Sequence, residues 1–368
     1  MGQNKKNNYF LWSIALEWAV PALLIVLLKA VSHYPHFIEN VYSTGFYTYI
    51  AYLQRVLFGW LPFSIGDVMY SFLWLLLIFY VGKVIWMLVK KQYSWALLGM
   101  HAKKLLKTCL WVYIVFNVLW GLNYTRLGIA SQLKLDKTSY TDEELKDLAC
   151  DLAEQLNETR AALGDSNYIY PKGDALFAQA YSGYQKLAPQ FQFLQYKHLS
   201  VKQSLLSWLI SYAGYSGYYD PFSGEAQVNR DMPGFVMPFV TCHEMAHQLG
   251  YASESEANFV GYLACMHSDN LLLKYSGLYE LFTTANGELL ERDFWPALLN
   301  YKSLSPLVKR DRKIYREYIL GKQNNLEPVI KNVYDQYLKA NQQRGGINSY
   351  NEVVGWLIAY RKKYEKAR

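Results

Sequence analysis

The chain has 368 residues, 52% of them apolar and only 18% charged, with a formal net charge of +7. That length allows two modest domains or one domain with a membrane region, and the mixture is more apolar than a typical soluble enzyme. The lysines are scattered or flank apolar runs, and no basic stripe carries interleaved aromatics, so nucleic acid is not an expected partner.

A mean hydropathy of -0.06 averages two unlike halves, with apolar residues crowding the first 125 positions and most acidic residues following them. Three early segments approach the roughly 20 residues needed to cross a bilayer: about 11–31, 68–89 and 105–122. Glu17 lies near one end of the first, where water or a neighbouring helix can receive it. Lys83 falls late in the second, where its side chain can snorkel, and Trp111 and Trp120 sit in the third like interfacial anchors. No small-x-small cleavage site follows the first segment. Lys5 and Lys6 precede it, and Lys90, Lys91, Lys103 and Lys104 separate the second and third, whereas the loop 32–67 has one cation, Arg55. The positive-inside rule therefore puts the N-terminus and the Lys-rich loop in the cytoplasm and everything after Tyr124 outside. Residues 50–63, apolar but broken by Gln54, Arg55 and Gly59, read as an interfacial helix on the outer leaflet.

Residues 126–368 read as a separate, mainly α domain. Thr141 with Asp142, Glu143 and Glu144 is an N-cap and acidic first turn for a helix to about Leu163, ended by Gly164-Asp165-Ser166. Further helices are expected at about 174–187, 235–249, 254–273, 305–320, 328–340 and 350–364. Extended structure is expected only around 225–229, as a small β-ribbon. Four cysteines make no disulfide scaffold at this length. A Cys150–Cys265 bridge is open, but small buried hydrophobes is the preferred reading for all four, Cys109 and Cys242 included.

The chemistry lies in His243-Glu244-Met245-Ala246-His247. Histidines four apart on a helix are offset by about 40° and roughly 6 Å of rise, so both imidazoles can grip one zinc ion at about 2.0–2.1 Å. Glu244 beside them can act as general base toward a metal-activated water. Pro238 suits the first turn of this helix, and Gly250 supplies a break after it. A catalytic zinc needs a third protein ligand. Glu254 can be that ligand, with Asn258 one turn on as a partner holding a histidine. Glu256 is the alternative ligand, but it points about 200° away on the same helix, so Glu254 is preferred. The segment 225–229 is either an edge strand beside a substrate or an ordinary loop. Tyr212, Tyr215, Tyr218 and Tyr219 read first as packing or rim residues, and one of them could polarise a carbonyl. The single His33, His36, His101, His198 and His267 read as surface or packing residues.

This pattern resembles the gluzincin branch of the zincin metallopeptidases, whose HExxH helix is followed by Glu-x-x-Ala/Ser-Asp on a second helix. The resemblance implies His243, His247 and Glu254 as Zn2+ ligands and Glu244 as catalytic base, with Asn258 where Asp is usual. The interval from His247 to Glu254 is shorter than in most gluzincins and implies a tight helix–turn–helix. The run Thr241–Cys265, with the three apolar segments, also resembles an uncharacterised bacterial family of membrane-anchored zincin-like proteins. The expectation is an integral protein of a bacterial inner or plasma membrane, with an extracytoplasmic zinc peptidase domain acting on protein or peptide substrates. Charged residues flanking the motif disfavour an intramembrane protease. The alternatives are a non-catalytic receptor or assembly factor retaining a structural metal site, and a cell-wall amide hydrolase.

Overall fold

The computed structural model describes residues 2–92, 94–135, 139–164, 170–341 and 352–365. It is mainly helical, with one small three-stranded sheet. Of the segments expected to cross a bilayer, the helix Ile65–Val89 is long and apolar enough on its own, and its apolar stretch is wholly unburied. Leu16–Val31 meets that standard only jointly with Pro35–Phe58, from which it is bent by 94°. The helix Trp95–Leu119 starts earlier than expected and takes in Lys103 and Lys104, read as loop residues. Lys107 reaches Glu17 at 2.9 Å, so a neighbouring helix receives that carboxylate.

The stretch read as an outer loop is folded onto the C-terminal half. Pro35–Phe58 buries Glu39, Gln54 and Arg55, which turn inward while Tyr49, Leu53 and Leu57 stay exposed. Residues 50–63, read as an interfacial helix on the outer leaflet, are helical as far as Phe58, but Gln54 and Arg55 turn to partners far along the chain. Gln54 donates to Pro221 O and Phe222 O, and Arg55 lies over the Tyr196 ring. Ser64 caps Ile65–Val89 by accepting from Asp67 N. Its first turn is pinned to the sheet, since Gly66 N donates to Glu225 and Tyr70 to Asp220.

Thr141 is the expected N-cap of Asp142–Ala162, and with Glu144 it forms a reciprocal capping box, while Asp165 and Ser166 lie outside the described residues. The helix expected over 254–273 stops at His267, and a 22-residue helix that went unexpected, Leu271–Arg292, follows it. That helix is buried on much of its circumference, so it lacks the one-sided apolar stripe that betrays a surface helix. Phe294–Ser303 was also unexpected. The last α-helix runs Glu352–Tyr360 and continues as a π-helical turn, Arg361–Glu365, past the expected end, while Tyr350, its expected start, lies outside the described residues. All four cysteines are free. Cys242 and Cys265 are buried as expected, but Cys109 and Cys150 are exposed, and no Cys150–Cys265 bridge forms.

The sheet has β1 (Val201–Gln203), β2 (Gly217–Asp220) and β3 (Glu225–Val228), in the order β1-β3-β2. β3 is parallel to β1 and antiparallel to β2. The segment left open between an edge strand and an ordinary loop is thus the buried central strand, and β2 is the edge that faces the cleft described below.

Candidate metal centre

The HExxH helix spans Met237–Gln248, with Pro238 in its first turn. It ends in a Schellman turn: Gly250 N donates to His247 O and Tyr251 N to Ala246 O. Gly250 has φ +86°, and a Cβ there would lie 2.9 Å from the Tyr47 ring, so conformation and close approach both require glycine. The turn has a second effect. It brings Tyr251 O to 2.7 Å from His247 Nδ1, and since a carbonyl only accepts, Nδ1 carries the proton and Nε2 presents a lone pair.

Residues from the N-terminal half satisfy the carbonyls this helix leaves open. Trp120 Nε1 donates to His247 O at 3.3 Å, and Tyr47 donates to Gln248 O at 3.2 Å. Arg126 donates to Gly250 O at 3.0 Å, lies over the Tyr251 ring, and is paired with Glu39 through two nitrogens.

Glu254 opens the next helix, Glu254–His267. The two helices cross tightly at Gly261, where a Cβ would sit 3.0 Å from His243 N. This crossing brings Glu254 to the histidines. His243 Nε2 and His247 Nε2 are 3.1 Å apart, and Glu254 lies 3.3 Å from the first and 3.8 Å from the second. A tetrahedral ion about 2.0–2.1 Å from each donor would space the donors by about 3.3 Å. Two imidazoles and a carboxylate at these separations fit one divalent ion, and zinc suits that donor set.

Glu256 is not in this group. It accepts from Ile129 N at 2.8 Å on the opposite side of its helix, under Gly128. Asn258 lines the cleft and adds a polar contact that helps raise the His243 pKa, although His243 Nδ1 has no hydrogen bond of ordinary geometry among the described residues.

Burial and the facing charges set the protonation of this group. Burial drives His247 down to about 4. Burial also opposes charge on His243 and Glu254, but their mutual hydrogen bond and the facing charges prevail, taking His243 up to about 9 and Glu254 down to about 2. Burial pushes Glu244 up to about 8 against the pull of His243. The donor atoms of His243, His247 and Glu254 all lie within 4.8 Å of one another. Among the described residues Glu244 Oε2 is buried without a hydrogen-bond partner, and Gly217 of β2 abuts the carboxyl so closely that a Cβ would lie 2.7 Å from Oε1.

The centre opens into a cleft of about 750 Å³. Its walls include Gly217, Tyr218 and Tyr219 of β2, and also Tyr70, Phe116 and Trp120 from the apolar N-terminal helices. Of the tyrosines singled out in the sequence, Tyr215, Tyr218 and Tyr219 line the cleft and Tyr212 does not. Tyr218 is bonded to Asp67 and Tyr219 to Tyr47, so both hydroxyls are engaged in holding structure.

The tyrosine that touches the centre was missed. Tyr334, 80 positions beyond Glu254, donates to Glu254 Oε1 at 2.6 Å. Nothing local in the sequence marks such a contact. Glu280, on the unexpected helix Leu271–Arg292, also lines the cleft. Removing the hydroxyl with Tyr334→Phe is expected to weaken metal binding by about tenfold, as loss of a ligand's supporting bond does elsewhere. Competition against a chelating dye reads this, and an unchanged affinity would mean that the tyrosine only fills space.

The chain belongs to the family described as a protein of unknown function, DUF3810, whose model matches residues 42–358. Neither a curated protein nor a solved structure matches it. The matched stretch includes Ile65–Val89 and Trp95–Leu119 together with His243, His247 and Glu254, so the family's shared unit is larger than the C-terminal half.

Proposed function

We propose that this DUF3810 chain is a membrane-anchored, zinc-dependent peptidase. His243, His247 and Glu254 would hold the ion, and Glu244 would be the general base. The observation that carries the reading is Glu244 itself, a buried carboxylate beside the ligand set, with an oxygen that no described residue hydrogen-bonds and that faces a substrate-sized cleft. A structural metal site needs no such group, which favours the enzyme over a receptor or assembly factor.

When bound, the ion supplies Lewis-acid activation of water and of the scissile carbonyl. The protein residues do the rest. Glu244 Oε2 takes a proton from water in the cleft and later hands it to the leaving nitrogen. The free edge of β2 can pair with an extended peptide through main-chain hydrogen bonds, and Gly217 lets that strand approach Glu244 closely. Tyr334 and the Tyr251 carbonyl hold Glu254 and His247 in orientation.

Three helices, Gly2–Val31, Ile65–Val89 and Trp95–Leu119, would anchor the chain in a bacterial inner or plasma membrane. The lysine-rich turn at Lys90 and Lys91 lies at the far end of Ile65–Val89 from the Gly66 and Tyr70 contacts to the sheet. With the lysines cytoplasmic, the metal centre is extracytoplasmic. Full-length Glu244→Gln in detergent tests the enzymatic reading: metal retained with peptide hydrolysis lost supports it, and hydrolysis equal to the parent protein contradicts it.

A further inference from the structure

The helix Glu327–Ala340 has three unlike sides. One turns inward, where Leu338 is buried and Tyr334 bonds Glu254. A second, continuing round from it with Lys331 at the cleft, carries the ion pairs Lys331–Glu327 and Lys339–Asp335. The third is apolar and open: Leu326, just before the helix, and Val329 and Val333 within it are 68%, 59% and 65% exposed. At helical spacing these three and Tyr337 fall within an arc of about 80°.

What borders that arc identifies its cover. The Tyr337 ring meets Phe116 at 6.3 Å and Tyr124 at 6.1 Å. Ala340 and Asn341 share a small cavity with Leu28, Lys29 and Tyr113. Phe116 and Tyr113 lie on Trp95–Leu119, whose Val112 and Val115 are exposed alongside them. The arc therefore extends the apolar surface of the anchoring helices, one to two turns from their ends. An amphipathic helix at that depth lies in the plane of the lipid interface.

We propose that Glu327–Ala340 is a lid seated in the bilayer interface, with lipid covering Leu326, Val329 and Val333 while Tyr334 on its inner side holds Glu254. Its consequence rests on the peptidase reading above: the cleft beneath opens along the membrane, and its substrate is a polypeptide segment lying at the lipid surface. The aromatic wall formed by Tyr70, Phe116 and Trp120 suits such a segment.

The test uses the full chain in phosphatidylcholine–phosphatidylglycerol vesicles, with exposed Cys109 and Cys150 replaced by Ser. A nitroxide on Val329→Cys or Val333→Cys should collide with dissolved oxygen several-fold more often than with a water-soluble nickel chelate, and Asn332→Cys should show the reverse. Equal access of the chelate to all three positions would overturn the seating. So would protection from both reagents, which would mean that a second copy of the chain covers the arc. In a second arm, Val329→Asp with Val333→Asp should keep its metal but lose hydrolysis of a vesicle-bound peptide several-fold more than of the same peptide in solution. Equal loss would overturn the substrate assignment. A parent protein without metal would sink the peptidase reading yet leave the labelling pattern intact, so the two failures are distinguishable.

Discussion

Glu244→Gln is expected to lower peptide hydrolysis by about 10²–10⁴-fold, the span that a positioned general acid–base group contributes. The substitution keeps size and shape, so His243, His247 and Glu254 keep their places and metal content should not change. An amide cannot take a proton from water at any useful rate. The loss should therefore fall on kcat, with KM little altered, because Glu244 serves the proton transfers rather than substrate binding. A variant that loses metal as well would make Glu244 part of the ion's support. Activity within a few-fold of the parent would remove it as the base.

Glu39→Ala is expected to cost about 3–5 kcal/mol, as when one partner of a buried ion pair is removed. Both side chains are almost fully enclosed. Glu39 accepts from Arg126, from Gly128 N and from Gln132. Without it the guanidinium stays buried and unpaired beside the turn that it fixes through Gly250 O. That turn presents Tyr251 O to His247, so metal affinity should fall together with the thermal midpoint. Burial opposes ionisation of Glu39, but Arg126 holds its carboxyl below the ordinary value. The pair's contribution is therefore present at neutral pH and lost as acid takes the medium through the folded pKa. A detergent-solubilised variant melting at the parent's temperature would contradict this account of the interface.

The two halves of the site were unequally legible in the sequence. His243, His247 and the tight turn to Glu254 were readable because helical spacing alone decides which side chains share a face. The same argument separated Glu254 from Glu256, and the structure places the second glutamate against Ile129 N instead. Gly250 was readable as a break, though not as the residue whose turn fixes the His247 tautomer. Tyr334, Glu280 and the Glu39–Arg126 pair were invisible, since each meets its partners across a long stretch of chain. The sheet was misjudged for a related reason. Glu225–Val228 has the alternation of a strand, but only pairing on both sides, by Val201–Gln203 and Gly217–Asp220, makes it central rather than edge. Division of the chain near Tyr124 rested on hydropathy. Hydropathy does not register that Tyr47, Trp120 and Arg126 complete the end of the HExxH helix.

The central claim is that His243, His247 and Glu254 hold one metal ion, and elemental analysis of the full-length chain purified in detergent tests it without any knowledge of substrate. The account predicts about one zinc per chain in the parent protein and none in His243→Ala with His247→Ala, with the variant still folded by circular dichroism. Zinc content that is the same in both proteins, or absent from the parent after exposure to excess zinc and gel filtration, would contradict it.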